Sequence, residues 1–131
     1  AEITELMARY AWAYDTNHVE DLLATFTSDG TMWAFGVLLG GRDKIGQMIA
    51  ANATRRGDAG WQHLTDNHVF QDYTGKTVTV YSFYTMIEAD ASGANGRVRA
   101  IGYYTSYCRK EGGKWLFARR DVARWNGKRP W

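Results

Sequence analysis

The chain of 131 residues has a single cysteine, Cys108, so no internal disulfide can form. That usage fits a reducing compartment and points to the cytoplasm. No apolar run approaches the roughly 20 residues that span a bilayer. The opening residues Ala1-Glu2-Ile3-Thr4-Glu5 lack the basic and apolar segments of a signal peptide. Ser82 and Ser106 have no G-x-S-x-G context, and there is no G-x-G-x-x-G and no phosphate-binding loop. Nothing therefore implies a nucleotide cofactor, and the expectation is that none is used. A strong excess of one charge is also missing: the formal net charge is +2, and basic residues cluster only from Arg119 to Arg129. A nucleic-acid site would want a basic stripe interleaved with exposed aromatics on one face. The cluster reads instead as a solvated tail. Repeats, low-complexity stretches and dividing linkers are absent, so one domain over residues 1–131 is expected.

What is present is apolar and aromatic. Hydrophobic residues make up 45% of the chain and aromatic ones 15%, a globular composition able to fill one core. Ile3, Leu6, Met7, Tyr10 and Tyr14 recur at steps of three and four, one face of a helix that should break near Asp15-Thr16-Asn17. Asn17 and Glu20 fit a capping box for a second helix, whose apolar face would be Val19, Leu22, Leu23 and Phe26. Ser28-Asp29-Gly30 signals a turn, Thr31–Phe35 a short strand, and Gly40-Gly41 a turn or helix lead-in. Ile45, Met48, Ile49 and Asn52 mark a third helix ending near Arg56-Gly57. The period then changes. Trp61–Phe70, Lys76–Glu88, Arg97–Cys108 and Lys114–Trp125 read as long strands rich in Val, Thr, Tyr, Phe and Trp. Helices before a run of strands predict an α+β fold: three N-terminal helices wrapped around a strongly curved sheet, closing a cone-shaped pocket suited to a ligand.

Several residues could carry chemistry. Strict alternation puts His63, Thr65, Asn67 and Val69 on one face of their strand and His68 on the other. On that reading the two histidines cannot share a metal, and with one cysteine no metal site is expected. A lone strand histidine is more often structural than catalytic, and Asp15, at a helix end, is more often a turn former. Together they mean more: a carboxylate bonded to one ring nitrogen fixes the imidazole tautomer and favours its cation. Arg120 and Arg124 share a face with Leu116, Ala118 and Val122 if the last strand is regular, and one could stabilise an oxyanion. The six tryptophans are expected mainly in the core. A pocket lined by Trp33, Tyr84, Tyr103 and Trp125, with Asn67 on the His63 face, would suit a flat aromatic or polycyclic ligand.

Arg9-Tyr10-Ala11-Trp12-Ala13-Tyr14-Asp15, Val19–Leu23 and Phe26–Gly30 resemble the opening of the SnoaL-like proteins of the nuclear-transport-factor-2-like superfamily. Gly41-Arg42-Asp43-Lys44-Ile45 is similar to the start of their third helix. His63-Leu64-Thr65-Asp66-Asn67 is similar to their H-x-x-x-N strand, and Gly113–Arg120 to their closing strand. The resemblance spans nearly the whole chain and implies the cystatin-like cone. It is nearest to the scytalone dehydratase, hexachlorocyclohexane dehydrochlorinase and bile-acid dehydratase branch, in which an Asp and a His at the positions of Asp15 and His63 form a catalytic dyad. The same resemblance gives Arg120 and Arg124 the places of pocket arginines and Tyr10 and Tyr14 those of pocket tyrosines. It implies a cofactor-independent lyase, acting by elimination of water or by retro-aldol cleavage, and a homodimer or homotrimer. A second pocket histidine used by scytalone dehydratase has no counterpart in Lys76–Glu88. An isomerase or cyclase using the same base, and a non-catalytic ligand-binding or structural subunit, are the alternatives.

Overall fold

A computed structural model describes residues 2–131. Helices α1 (Glu2–Asp15) and α2 (Val19–Leu23) come first, followed by strands β1 (Phe26–Ala34) and β2 (Val37–Gly40) and helix α3 (Arg42–Arg56). Strands β3 (Gly60–Gln71), β4 (Thr77–Ala89), β5 (Arg97–Glu111) and β6 (Lys114–Arg124) complete the chain. One sheet runs β2-β1-β6-β5-β4-β3, antiparallel except where β1 lies parallel to β6. The helices pack on one face of this curved sheet. The expected α+β cone is the fold observed.

The core lies between α1, α3 and the inner face of the sheet. Met7 and Tyr10 of α1, Ile45 and Ile49 of α3, and Val80 and Phe117 of the sheet are almost wholly buried. On β4 every second residue from Val78 to Met86 is buried, a half-covered strand of period two. The tryptophans do not follow: only Trp61 is in the buried set, and Trp12 is 74% exposed. The expectation that they fill the core is corrected, because Trp12 falls on the solvent side of α1.

Five local departures from expectation stand out. The Asn17–Glu20 capping box does not form; α2 begins after His18, without a side-chain cap. Asn17 is already used as the left-handed residue that ends α1, with φ of 56°. His18 N–H donates to Ala13 C=O (2.9 Å) and Asn17 N–H to Tyr14 C=O (3.4 Å), a Schellman ending. Phe26 and Ser28-Asp29-Gly30 belong to β1 rather than to a helix and a turn. The turn signal survives as an irregularity, since the register with β6 jumps from Phe26–Phe117 to Thr31–Arg119. Residues 37–39, for which no element is expected, form with Gly40 the short strand β2, hydrogen-bonded back onto β1, and Gly41 is the lead-in to α3 as its N-cap.

The other two departures decide which side chains look inward. On β3 the register with β4 passes from Asp66–Phe83 to Val69–Tyr81, so Asn67 and His68 together oppose Ser82. Asn67 sits in the bulge at φ 55°. On β6 the register with β5 passes from Cys108–Phe117 to Tyr107–Arg119, leaving Ala118 as the extra residue. A one-residue bulge reverses facing.

Candidate active site

The Schellman ending of α1 leaves Asp15 as its last helical residue, aimed at β3. A carboxylate at a helix C-terminus meets the negative end of the helix dipole and needs donors from elsewhere. His63 supplies two. Its backbone N–H donates to Asp15 Oδ2 at 2.6 Å, and its Nδ1 is 2.6 Å from Asp15 Oδ1. The side chains are 7% and 11% exposed. A carboxylate only accepts, so Nδ1 carries the proton and Nε2 presents its lone pair. The structure brings Asp15 and His63 together in the arrangement a general base requires.

Phenols surround the imidazole. The Tyr14 ring lies 4.6 Å from the His63 ring, and the Tyr14 hydroxyl accepts a hydrogen bond from Asn52 Nδ2 at 2.6 Å. The Tyr84 ring lies 6.4 Å from the His63 ring, and the Tyr104 ring lies 4.9 Å from that of Tyr84, tilted by 32°. Tyr10, 6.0 Å from Tyr14, donates to Met32 Sδ at 3.7 Å. Burial raises the pKa of all four tyrosines. They stay protonated across the working pH range and serve as hydrogen-bond donors rather than bases.

Arg120 lies at the deep end of this row of rings. It is fully buried, with its guanidinium carbon 3.7 Å from the Tyr104 centroid, 4.3 Å from Tyr10 and 4.4 Å from Phe117. None of its three nitrogens has a hydrogen-bond partner among the described residues. Ring faces attract a desolvated cation by about 0.5–2 kcal/mol each. That offsets only part of a desolvation penalty of several kcal/mol. The site therefore holds a positive charge that a negative oxygen would relieve.

Not every expected residue joins this cluster. Arg124 is exposed at the strand end, over the Phe35 ring at 4.8 Å. Trp33, Tyr103 and Trp125 stand on the opposite face of the sheet: Trp33 under Arg119, and Trp125 against Phe83 and Tyr103. The predicted pocket lining of Trp33, Tyr103 and Trp125 is corrected on this ground, while Tyr84 faces inward. Asn67 is exposed in the bulge. The expected opposite facing of His63 and His68 is also corrected. The bulge turns His68 inward, where its Nδ1 is 2.7 Å from Ser82 Oγ. Leu116 and Ala118 do not share the face of Arg120; the bulge at Ala118 gives that face to Phe117. Among the described residues, no group of three or more His, Cys, Asp or Glu gathers to hold a metal.

Sequence reasoning missed Tyr104 and Asn52. Tyr103-Tyr104 gives alternation nothing to choose with, but Gly102 does. A Cβ there would lie 2.5 Å from Tyr84 Cε1 and against the Ala123 carbonyl. A lone strand glycine under a ring marks the inward side, and Tyr104 shares it. Asn52 is a polar residue on the apolar stripe of α3, a signal of a buried partner. An open groove of about 840 Å³ lies elsewhere, between α1, α2 and the β5–β6 turn, lined by Arg9, Trp12, Asp21 and Lys114 among others. It contains none of the dyad or phenol residues.

The fold and site define a class, the cystatin-like α+β cone of the nuclear-transport-factor-2-like proteins. Within it, the chain belongs to the SnoaL-like domain family, which it matches over residues 1–121. That family includes polyketide cyclases and dehydratases. Among solved structures, the chain is similar to a single-substitution variant of Rv3472 of Mycobacterium tuberculosis, a protein of unknown function. The two are 26% identical over 95% of this chain and 70% of that one, with a TM-score of 0.83. It is similar in fold to a protein of Novosphingobium aromaticivorans provisionally described as a scytalone dehydratase (24% identity, 95% and 83% coverage, TM-score 0.78). It is likewise similar to a protein of Catenulispora acidiphila in complex with S-DNPA (20% identity, 94% and 90% coverage, TM-score 0.81). No curated protein matches the chain. No helix among the described residues is long and apolar enough to cross a membrane.

Proposed function

We propose that the protein is a cofactor-independent lyase acting on an aromatic or polycyclic small molecule. Its base is the Asp15–His63 pair. The observation that carries this reading is the pair of 2.6 Å hydrogen bonds from His63 to the two oxygens of Asp15, with both side chains nearly buried. Dehydration is the leading version. His63 Nε2 takes a proton from carbon, and the electron pair forms the new double bond as the carbon–oxygen bond breaks. The departing hydroxide takes a proton, from the imidazolium or from the Tyr14 phenol, and leaves as water. Asp15 holds the imidazolium. Arg120, flanked by Tyr10 and Tyr104, stabilises negative charge that develops on a substrate oxygen. Retro-aldol cleavage uses the same groups: the base removes a hydroxyl proton, that oxygen becomes a carbonyl as the carbon–carbon bond breaks, Arg120 stabilises the enolate, and the imidazolium returns its proton to the enolate carbon.

An isomerase or cyclase would use the same base and return the proton to the substrate. Product mass separates the readings, because elimination and cleavage split off a fragment while isomerisation conserves mass. The test is turnover of a panel of aromatic and polycyclic alcohols, followed by mass spectrometry. His63→Ala should abolish turnover and leave the circular dichroism spectrum intact. Retained turnover in that variant would overturn the mechanism. Fragment-free products of unchanged mass would move the assignment to the isomerases. A homodimer or homotrimer formed through the outer face of the sheet belongs to the same reading. Exposed Leu64, Phe83, Ile101, Tyr107 and Trp125 support it. Sedimentation should show a self-associated species that Phe83→Lys dissociates; a monomer at micromolar concentration would contradict it.

A further inference from the structure

We propose that the open end of the cone binds an anionic oxygen group, a carboxylate, sulfonate or phosphate, carried by the substrate's ring system. This inference rests on reading the His63 interior as the substrate site and names the class of substrate that enters it. The topology gathers one end of every relevant element there: the C-termini of α1, α3, β1, β4 and β6 and the N-termini of β3 and β5. Five guanidinium groups come with them. Arg55 and Arg56 close α3, Arg97 and Arg99 open β5, and Arg124 ends β6.

The carboxylates at this end do not balance them. Glu88 accepts from Arg97 Nη2 and Arg99 Nη1 at 2.8 Å each, and from Trp61 Nε1 at 2.7 Å. One negative charge thus serves two positive ones. Asp15 is bonded to His63. The Asp90 carboxylate is taken up by Ser92, Ala94 and Asn95 in its own turn. Asp58 stands nearby in the loop after α3 and makes no ion pair among the described residues. Arg55, Arg56 and Arg124 likewise have no carboxylate partner among those residues.

Three of these arginines lie against aromatic rings. Arg56 lies 5.3 Å from the Trp61 ring centroid, and Arg99 lies 5.1 Å from the same ring. Trp61 is 8% exposed and precedes His63 by two positions on the same strand face. Arg56 Nη1 is buried without a partner among the described residues. Arg124 lies over Phe35. A guanidinium whose carbon lies over a ring can still offer N–H groups, as the unpartnered Arg56 Nη1 does, and such an edge matches an anionic oxygen group in bidentate fashion. The positive charges reach the interior: Arg55 and Arg56 oppose the burial effect on Tyr14, and Arg124 opposes it on Tyr84. Basic residues in the last turn of α3 also complement its dipole. That explains Arg55 and Arg56 in part, but not the three arginines on strands.

An anion at the mouth would leave its ring system pointing down the row of tyrosines toward His63 and Arg120. The test is competition against a fluorescent probe, 8-anilinonaphthalene-1-sulfonate, by four ring compounds of one shape. These are 2-naphthoate, naphthalene-2-sulfonate, 2-naphthyl phosphate and the neutral naphthalene-2-carboxamide. At least one anion should bind about tenfold more tightly than the amide, and the order among the three identifies the group. That advantage should shrink as salt rises from 20 to 300 mM, as expected for partly exposed charges. Arg56→Gln and Arg124→Gln should each remove most of it, and the control Arg9→Gln on the outer side of α1 none. Equal binding of anion and amide, or an anion preference untouched by both variants, would overturn the proposal. Because His63→Ala is read by turnover and the rim by binding, either reading can fail alone.

Discussion

Arg119 and Arg120 are neighbours in sequence and opposites in circumstance. Arg119 points outward, donating from Nε and Nη2 to the two oxygens of Asp121 at 2.7 and 3.0 Å and lying over Trp33. Arg120 points inward, with no hydrogen bond from any nitrogen among the described residues and aromatic rings on three sides. The same division separates Tyr103, on the outer face beside Trp125, from Tyr104, in the core beside Tyr84. The outer face settles its own charges and presents apolar rings. The inner face gathers the hydrogen-bonded Asp15–His63 pair, four phenols and a guanidinium without a hydrogen-bond partner among the described residues. Incomplete satisfaction of costly buried groups is a mark of a site built for a ligand.

Substitutions on the two faces should therefore diverge. The largest effect is expected from Asp15→Asn, which keeps the shape and removes the charge that fixes the His63 tautomer. Turnover should fall by about 10²–10⁴-fold, the usual worth of a positioned proton acceptor, with the fold intact by circular dichroism. A loss under tenfold would break the account of the inner face. Next is the arginine pair. Arg120→Met should abolish turnover and leave the melting temperature unchanged or higher, because apolar replacement of buried charge is often neutral or stabilising by about 1–4 kcal/mol. Arg119→Met should leave turnover unchanged and stability within about 1 kcal/mol, as for an exposed ion pair. Identical behaviour of the two variants would erase the distinction. Gly102→Ala should destabilise by about 1–3 kcal/mol, since the added methyl meets the Tyr84 ring and the Ala123 carbonyl. Chemical denaturation measures it.

The smallest expected effect concerns pH. Burial lowers the pKa of His68, with Arg120 adding to the shift and Asp66 opposing it. A depressed folded pKa means the unfolded chain takes up the proton first. The contribution of His68 is therefore present above about pH 6.5, the value for a free histidine, and is lost as pH falls through the folded pKa. His68→Gln should flatten the stability profile below pH 6.5, read by melting temperature. An unchanged profile would remove His68 from the inner face.

Much of this division was legible in the sequence. The three- and four-residue steps of α1 gave the buried face carrying Tyr10 and Tyr14, and the change of period at Trp61 gave the long strands. Resemblance to SnoaL-like proteins singled out Asp15 and His63 together, which no pattern in the residues alone could do. Facing was harder to read. Alternation fails wherever a bulge intervenes, and the bulges at Asn67 and Ala118 reversed His68, Leu116 and Ala118. Their only sequence trace is Asn67, a residue type that tolerates positive φ. Trp33 and Trp125 looked like pocket walls because they are large and aromatic. Size says nothing about which face a strand residue takes, and their neighbours Met32 and Arg124 hold the inward parity. The arginine rim lay unread because its members are scattered over α3, β5 and β6, and only the topology brings them to one end.

The measurement that bears most directly on the dyad is the nitrogen chemical shift of the neutral His63 ring in ¹⁵N-labelled protein, followed through a pH titration. The account predicts the Nδ1–H tautomer with an unprotonated Nε2, and loss of that fixed tautomer in Asp15→Asn. An Nε2–H tautomer, or a ring averaging freely between the two in the unsubstituted protein, would contradict it.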